Sequence, residues 1–114
     1  MEAEQIARKV VEVASDKQAS DIVLLDVRET CSFADYFVVC TVETQRQMSA
    51  LADDIEKALN EDGVKEIHRE GKIDSGWLLM DYGDVIINIF DTAERDYYKL
   101  DRLWSEAVPL VRIQ

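Results

Sequence analysis

Two short runs, Ile22-Val23-Leu24-Leu25 and Tyr36-Phe37-Val38-Val39-Cys40-Thr41-Val42, carry almost no polar side chain. A strand with one wet face alternates apolar and polar residues, whereas a continuous apolar run needs cover on both faces. The second run is also aromatic and β-branched, which suits a pleated sheet better than a helix. The chain must therefore place other elements above and below a central sheet.

The flanking segments supply such elements. Ile6, Val10 and Val13 share one stripe of a helix expected over about residues 3–15, with Glu2, Glu4, Arg8, Lys9 and Glu12 largely outside it. A second helix has the clearest signals. Thr44 and Gln47 have the spacing of a capping box, and Met48, Leu51, Ile55 and Leu59 follow at helical intervals beside Ala52. Gly63 is placed to end that helix in a left-handed conformation. Residues 64–69, Val64 to Arg69, form a weaker, charged strand expected near an edge. After a flexible connector at 71–76, Trp77 to Tyr82 and Val85 to Phe90 make a hairpin. Gly83-Asp84 at its tip suits a type II′ turn. Asp91 with Glu94 resembles a further helix start leading through Arg95, Tyr97 and Tyr98. A last short helix carries Leu100, Leu103 and Trp104, and Pro109 stops it. The order implies an α/β or α+β fold, a mixed five-stranded sheet with flanking helices. At 114 residues it forms a single domain, 1–114.

Charge narrows the functional classes. Asp and Glu number 24 against 13 Lys and Arg, a net of -11. That field repels phosphate backbones, so direct nucleic-acid binding is not expected, and a basic protein surface is the natural complement. The N-terminus has neither the basic start and apolar run of a signal peptide nor the character of a transit peptide. No apolar run approaches a bilayer span. The chain reads as soluble and cytoplasmic, without a membrane partner. Cys31 and Cys40 are its only cysteines and read as buried, reduced thiols.

Catalytic and metal chemistry find little support. His68 is the only histidine, and the cysteines are too far apart for a zinc knuckle. No phosphate-binding glycine loop occurs around Gly71 or Gly76. Two-metal phosphoryl transfer wants two carboxylates on one strand face, yet Asp26 has Leu24 and Arg28 two residues away, and Asp35 has Phe33 and Phe37. Asp53 and Asp54 lie on an outer helix face, and Asp81 and Asp84 bracket the hairpin turn, where Asp favours local backbone bonding. No catalytic residue, cofactor or metal is expected, and the chain is read as a non-enzyme. What stands out is an aromatic and charged group toward the C-terminal end: Trp77, Tyr82, Tyr97, Tyr98 and Trp104 among Asp81, Asp84, Arg95 and Arg102. Tyr97 and Trp104 fit a core. Trp77 follows a glycine-containing loop at a strand start, an exposed place for an indole, and Trp, Tyr and Arg carry much of the binding energy at protein interfaces.

The ordered motifs resemble one family. Asp21 to Val27, Ser32-Phe-Ala-Asp-Tyr-Phe-Val-Val-Cys-Thr, Gln45-Arg46-Gln47, Glu70-Gly71, Ser75-Gly76-Trp77, Asp81-Tyr82-Gly83-Asp84-Val85, and Arg95-Asp96-Tyr97-Tyr98-Lys99-Leu100 through Leu103-Trp104 are similar to the ribosomal silencing factors, or Iojap-like proteins. The resemblance covers nearly the whole chain. It implies a nucleotidyltransferase-like core without catalytic carboxylates. It also implies a translation repressor that binds the large ribosomal subunit through ribosomal protein fourteen and sterically blocks association with the small subunit. Carried over by residue, it implies contacts from Trp77, Leu78, Met80, Tyr82, Asp84, Asn88, Arg95 and Tyr98. Trp77 would be the apolar anchor, Met80 and Tyr82 would widen the contact, and Asp84 would pair with a basic group. Arg95 would bind across the interface or brace the aspartate. Strand alternation points Trp77 and Met80 to opposite faces. Many members carry His where this chain has Asn88, whose amide hydrogen-bonds there without the charge. Alternatives are a nucleotidyltransferase-like enzyme, and a homodimeric adaptor in which the hairpin face pairs free copies.

Overall fold

A computed structural model describes residues 1–94 and 107–113. Helix α1 (Ala3–Asp16) leads to strands β1 (Ser20–Asp26) and β2 (Tyr36–Val42), then helix α2 (Gln45–Glu61). Strands β3 (His68–Lys72), β4 (Trp77–Asp81), β5 (Val85–Asp91) and β6 (Val108–Ile113) follow, with one 3₁₀ turn at Ile73–Ser75. The strands form one six-stranded sheet in the order β3-β4-β5-β2-β1-β6. β2 and β5 are parallel and every other neighbouring pair is antiparallel, so the sheet is mixed and the fold is α+β.

Both helices pack on one face of the sheet. Ile6, Ala7, Val10, Val11 and Ala14 of α1 join Met48, Leu51, Ala52, Ile55 and Leu59 of α2 in one buried cluster. The strands meet them with Ile22, Leu24, Val38, Cys40, Leu78, Met80, Ile87 and Ile89. Burying each such aliphatic side chain contributes about 1.5–3 kcal/mol, so this layer is the main source of stability. The opposite face buries Val23, Leu25, Val27 and Ala107, with Cys31 and Phe37 against them. The two apolar runs are thus covered on both faces.

Local chemistry sets the helix ends. Thr44 Oγ1 accepts from Gln47 N at 3.0 Å, while the Gln47 side chain accepts from Glu43 N at 2.9 Å, one residue before the cap. Its amide also donates to the Gln18 carbonyl at 3.2 Å, tying the start of α2 to the α1–β1 turn. At the other end Gly63 N and Val64 N donate to Asn60 and Leu59 carbonyls at 3.0 and 2.9 Å, with Gly63 at φ 77°. That is the left-handed cap foreseen. The same double bond closes α1, but Gln18 holds the left-handed position at φ 62°.

Three expectations shift. The edge strand runs over His68–Lys72 rather than 64–69, because Val64 is committed to capping α2. Its position at the sheet edge is as expected. The sheet has six strands, not five, because the chain returns at Val108–Ile113 to pair with β1. Pro109 therefore stands inside β6 instead of stopping a helix. It is tolerated there because β6 is the other edge, and the register slips between Leu24 and Leu25, where Pro109 is paired. The helix expected to carry Leu100, Leu103 and Trp104 lies outside the described residues, as do Arg95, Tyr97 and Tyr98.

Candidate protein-binding site

The hairpin face is built around Trp77. The turn before it is held by Ser75 Oγ, which donates to the Lys72 carbonyl at 2.7 Å, and by Gly76 at φ 79°. A side chain at Gly76 would run into the Asp91 carboxylate, whose backbone N–H donates to the Gly76 carbonyl at 2.9 Å. Gly71, on β3 next to Lys72, which is paired with Trp77, lets the indole lie close: a Cβ there would fall on the Trp77 carbonyl oxygen and 2.8 Å from its Cε3. Trp77 is half-buried, and its Nε1 donates to Asn88 Oδ1 at 3.2 Å.

Register places the neighbours. Trp77 is opposite Phe90, Leu79 opposite Asn88, and Asp81 opposite Ile86, so these six share one face. Val39 of β2 lies beside Asn88 on that face, and Lys72, Glu70 and His68 of β3 edge it. Leu78, Met80 and Tyr82 point the other way, into the core beneath the helices. Met80 is fully buried, and Leu78 and Tyr82 are 3% and 7% exposed. The expectation that Met80 and Tyr82 widen a contact centred on Trp77 is corrected accordingly: those side chains support the sheet from behind. Leu78 likewise presents no surface.

Asp84 is exposed at the hairpin tip, where its backbone carbonyl accepts from Asp35 N and Tyr36 N at 2.8 and 3.0 Å. Asp81 Oδ1 accepts from Gly83 N at 2.7 Å, and Gly83 has φ 89°, as the first loop position of a type II′ turn requires. Glu94 N donates to Asp91 Oδ1 at 2.8 Å, the capping contact expected at a helix start. Arg95 and Tyr98 fall outside the described residues.

Several other ionisable groups among the described residues are engaged structurally. Arg28 forks onto Asp26, with Nε at 3.0 Å and Nη2 at 2.7 Å from its two oxygens, and lies 5.6 Å above the Tyr36 ring. The bond to Arg28 lowers the Asp26 pKa from its ordinary value. This carboxylate is occupied by a guanidinium rather than by a second carboxylate. Arg69 bridges Glu66 at 2.6 Å and Glu56 at 3.5 Å, joining β3 to α2. Close by, burial and these two glutamates push the Tyr82 hydroxyl up to about 12. Neither the Arg28 fork nor the Arg69 bridge was evident from sequence. Asp26-x-Arg28 is a local signal that could have been read, whereas Arg69–Glu56 depends on packing. His68 is exposed, with a ring nitrogen 3.1 Å from Glu70. Cys40 is buried as expected, and Cys31 only partly so. Among the described residues no three His, Cys, Asp or Glu side chains gather to hold a metal ion. No described helix is long and apolar enough to cross a membrane.

Known proteins share both this sequence and this shape. Residues 1–114 match the family model described as ribosomal silencing factor during starvation. The ribosomal silencing factor RsfS of Bacillus subtilis is 35% identical over 107 residues, covering 94% of this chain and 91% of the relative. The chloroplastic protein Iojap of Zea mays is 28% identical over 107 residues, 91% of this chain and 45% of that protein. A crystal structure of a Chromobacterium violaceum protein superposes with a TM-score of 0.86 at 34% identity, covering 96% of this chain and 91% of its own. One from Bacillus halodurans gives 0.80 at 31% identity, covering 94% and 99%. With the full-length family match and these relatives, the chain belongs to the Iojap-like ribosomal silencing factors, a family of translation regulators.

Proposed function

We propose that this protein represses translation by binding the large ribosomal subunit through ribosomal protein fourteen and sterically blocking the small subunit. The hairpin face carries the contact. The observation that most supports this is Trp77, a half-buried indole on the face of β4 away from the two helices, held in place by Gly71 and by its bond to Asn88. An amphipathic aromatic fixed before docking loses little conformational freedom on binding, which is what an interface anchor needs.

Asp84, exposed at the hairpin tip, pairs with a basic group of the partner, and Arg95 and Tyr98 extend the contact. Leu78, Met80 and Tyr82 contribute from behind, as part of the core that supports β4. A net charge of -11 keeps the protein off rRNA and selects a basic protein surface. No bond is made or broken. A bound body of 13.1 kDa excludes the small subunit if the two footprints overlap.

Sucrose-gradient sedimentation of purified subunits at association-promoting magnesium tests this. Wild-type protein is expected to co-sediment with the large subunit and reduce the joined-ribosome peak, and Trp77→Ala to do neither. A wild-type protein that leaves subunit joining unchanged refutes the proposal. Sedimentation of the free protein over a range of concentrations tests whether the same face also pairs two copies.

A further inference from the structure

Residues 65–72 bury no side chain deeply. Every residue of β3 is exposed, Ile67 before it is 70% exposed, and only Glu66 is partly covered. Burial of apolar surface therefore does not hold β3 down, whereas β1, β2, β4 and β5 each bury several side chains. The segment is anchored at its two ends, where Val64 and Ile73 pack, partly buried, against the core beneath the helices. Between these anchors it forms a strap along the outer edge of β4, joined to it by the ladder from His68–Asp81 to Lys72–Trp77.

Arg69 ties this strap to the helix layer. It stands opposite the core residue Met80, so its side chain projects toward α2 and away from the face that carries Trp77. Its Nε and Nη2 fork onto the Glu66 carboxylate at 2.7 and 2.6 Å, and Nη2 lies 3.5 Å from Glu56 of α2. The Tyr82 hydroxyl lies within the field of all three groups, buried and without a hydrogen-bond partner among the described residues. Lifting the strap would let water reach that hydroxyl, so opening relieves an unpaired group and the Arg69 network works against it.

We infer that Arg69 is a positioning residue for the anchor: it latches β3 against β4 and, through Gly71 and Lys72, fixes the Trp77 indole without touching the partner. The inference rests on the proposed role of Trp77 and adds what keeps that side chain seated. Lys72 is the register partner of Trp77, and the Gly71 backbone lies so near the indole that a Cβ on it would be 2.8 Å from Cε3. With the latch released, the ladder alone holds β3, and an edge ladder with no buried side chain opens at low cost. The indole then loses a wall that limits its rotation, and an anchor that must be ordered on docking binds less tightly.

Amide hydrogen exchange of the free protein reads the latch, and co-pelleting with purified large ribosomal subunits reads its consequence. Arg69→Met keeps an unbranched stem but cannot fork onto Glu66. Amides of residues 68–72 are expected to exchange about tenfold faster in this variant, with those of β1 and β2 unchanged. Subunit affinity is expected to fall about three- to tenfold, with the indole N–H resonance of Trp77 shifted or broadened. Arg69→Lys should recover part of the protection, since an ammonium pairs with Glu66 but does not fork. Tyr82→Phe removes the unpaired hydroxyl and should slow exchange in β3. Unchanged exchange in Arg69→Met overturns the inference, and so does faster exchange with undiminished affinity. Faster exchange in every strand alike also overturns it, because Arg69 would then serve global stability. An affinity loss with exchange and indole signal unchanged does the same, because Arg69 would then meet the partner directly. If wild-type protein fails to bind subunits, the docking proposal has failed, and exchange in the free protein still decides whether the latch exists.

Discussion

Replacing Gly71 with alanine perturbs the candidate site from behind, and Gly63→Ala supplies its control. Both glycines have left-handed backbone, at φ 84° and 77°. An L-residue in that conformation costs about 1–2 kcal/mol, so the two substitutions share this contribution. They differ in space. Nothing lies within 4 Å of a Cβ built on Gly63, whereas one on Gly71 collides with the Trp77 carbonyl oxygen and approaches Cε3 to 2.8 Å. The carbonyl is main chain in a paired strand, with Lys72 opposite Trp77 and Gly71 opposite Leu78, so no rotamer change relieves the clash. Opening the pair adds roughly 1–3 kcal/mol, in the range of overpacking. Gly71→Ala should therefore cost roughly 2–5 kcal/mol and Gly63→Ala roughly 1–2. Urea unfolding followed by far-ultraviolet circular dichroism measures both, and unchanged slopes would make the midpoints comparable. Gly71→Ala should also disturb the indole resonance of Trp77, while Gly63→Ala leaves it in place. Equal destabilisation by the two substitutions would refute the argument that close approach to Trp77 requires glycine at 71.

Two further perturbations test the core and the helix caps. The Tyr82 hydroxyl has no hydrogen-bond partner among the described residues, and its folded value of about 12 lies above the ordinary 10.0. Because the folded pKa is raised, the corresponding stability is complete below pH 10 and is lost as pH rises toward 12, by roughly 2–3 kcal/mol. Tyr82→Phe should be neutral or stabilising at pH 7 and should flatten that alkaline loss in urea titrations; a loss as steep as in wild type would show that another group is responsible. Thr44→Ala removes the acceptor for Gln47 N and should cost about 1 kcal/mol, with Thr44→Ser restoring most of it. No loss by thermal or urea unfolding would mean that Gln47 alone secures the helix start.

Much of the chain's local structure was legible because it depends on near neighbours. The period of Met48, Leu51, Ile55 and Leu59, the Thr44 cap and the Gly63 stop bound α2 without reference to anything distant. The uninterrupted apolar composition of β1 and β2 likewise announced burial on both faces. Strand alternation alone separated Trp77 from Met80, and the structure agrees. Motif order along the chain was enough to reveal the family, because a family pattern survives in sequence even where individual contacts cannot be inferred.

Other features were decided only by tertiary structure. Pro109 reads as a helix stop in isolation, yet β1 offers a free edge and Pro109 enters it as a strand residue. The third strand begins at His68 because its register is set by β4 and by the room Gly71 leaves for Trp77. Leu78, Met80 and Tyr82 share motifs with Trp77, but the sheet turns them into the helix-side core and leaves the indole outside. The Trp77–Asn88 bond spans 11 residues and two strands, and the Arg69–Glu56 contact joins a strand to a helix. Such pairings follow from which strands lie side by side, a property of the folded sheet as a whole. Sequence alone therefore determined both helices, the central strands and the hairpin, the acidic character and the family, all of which rest on residue type and short-range order. The pairing of Trp77 with Asn88 was determined only when the hairpin closed and brought distant side chains within hydrogen-bonding distance.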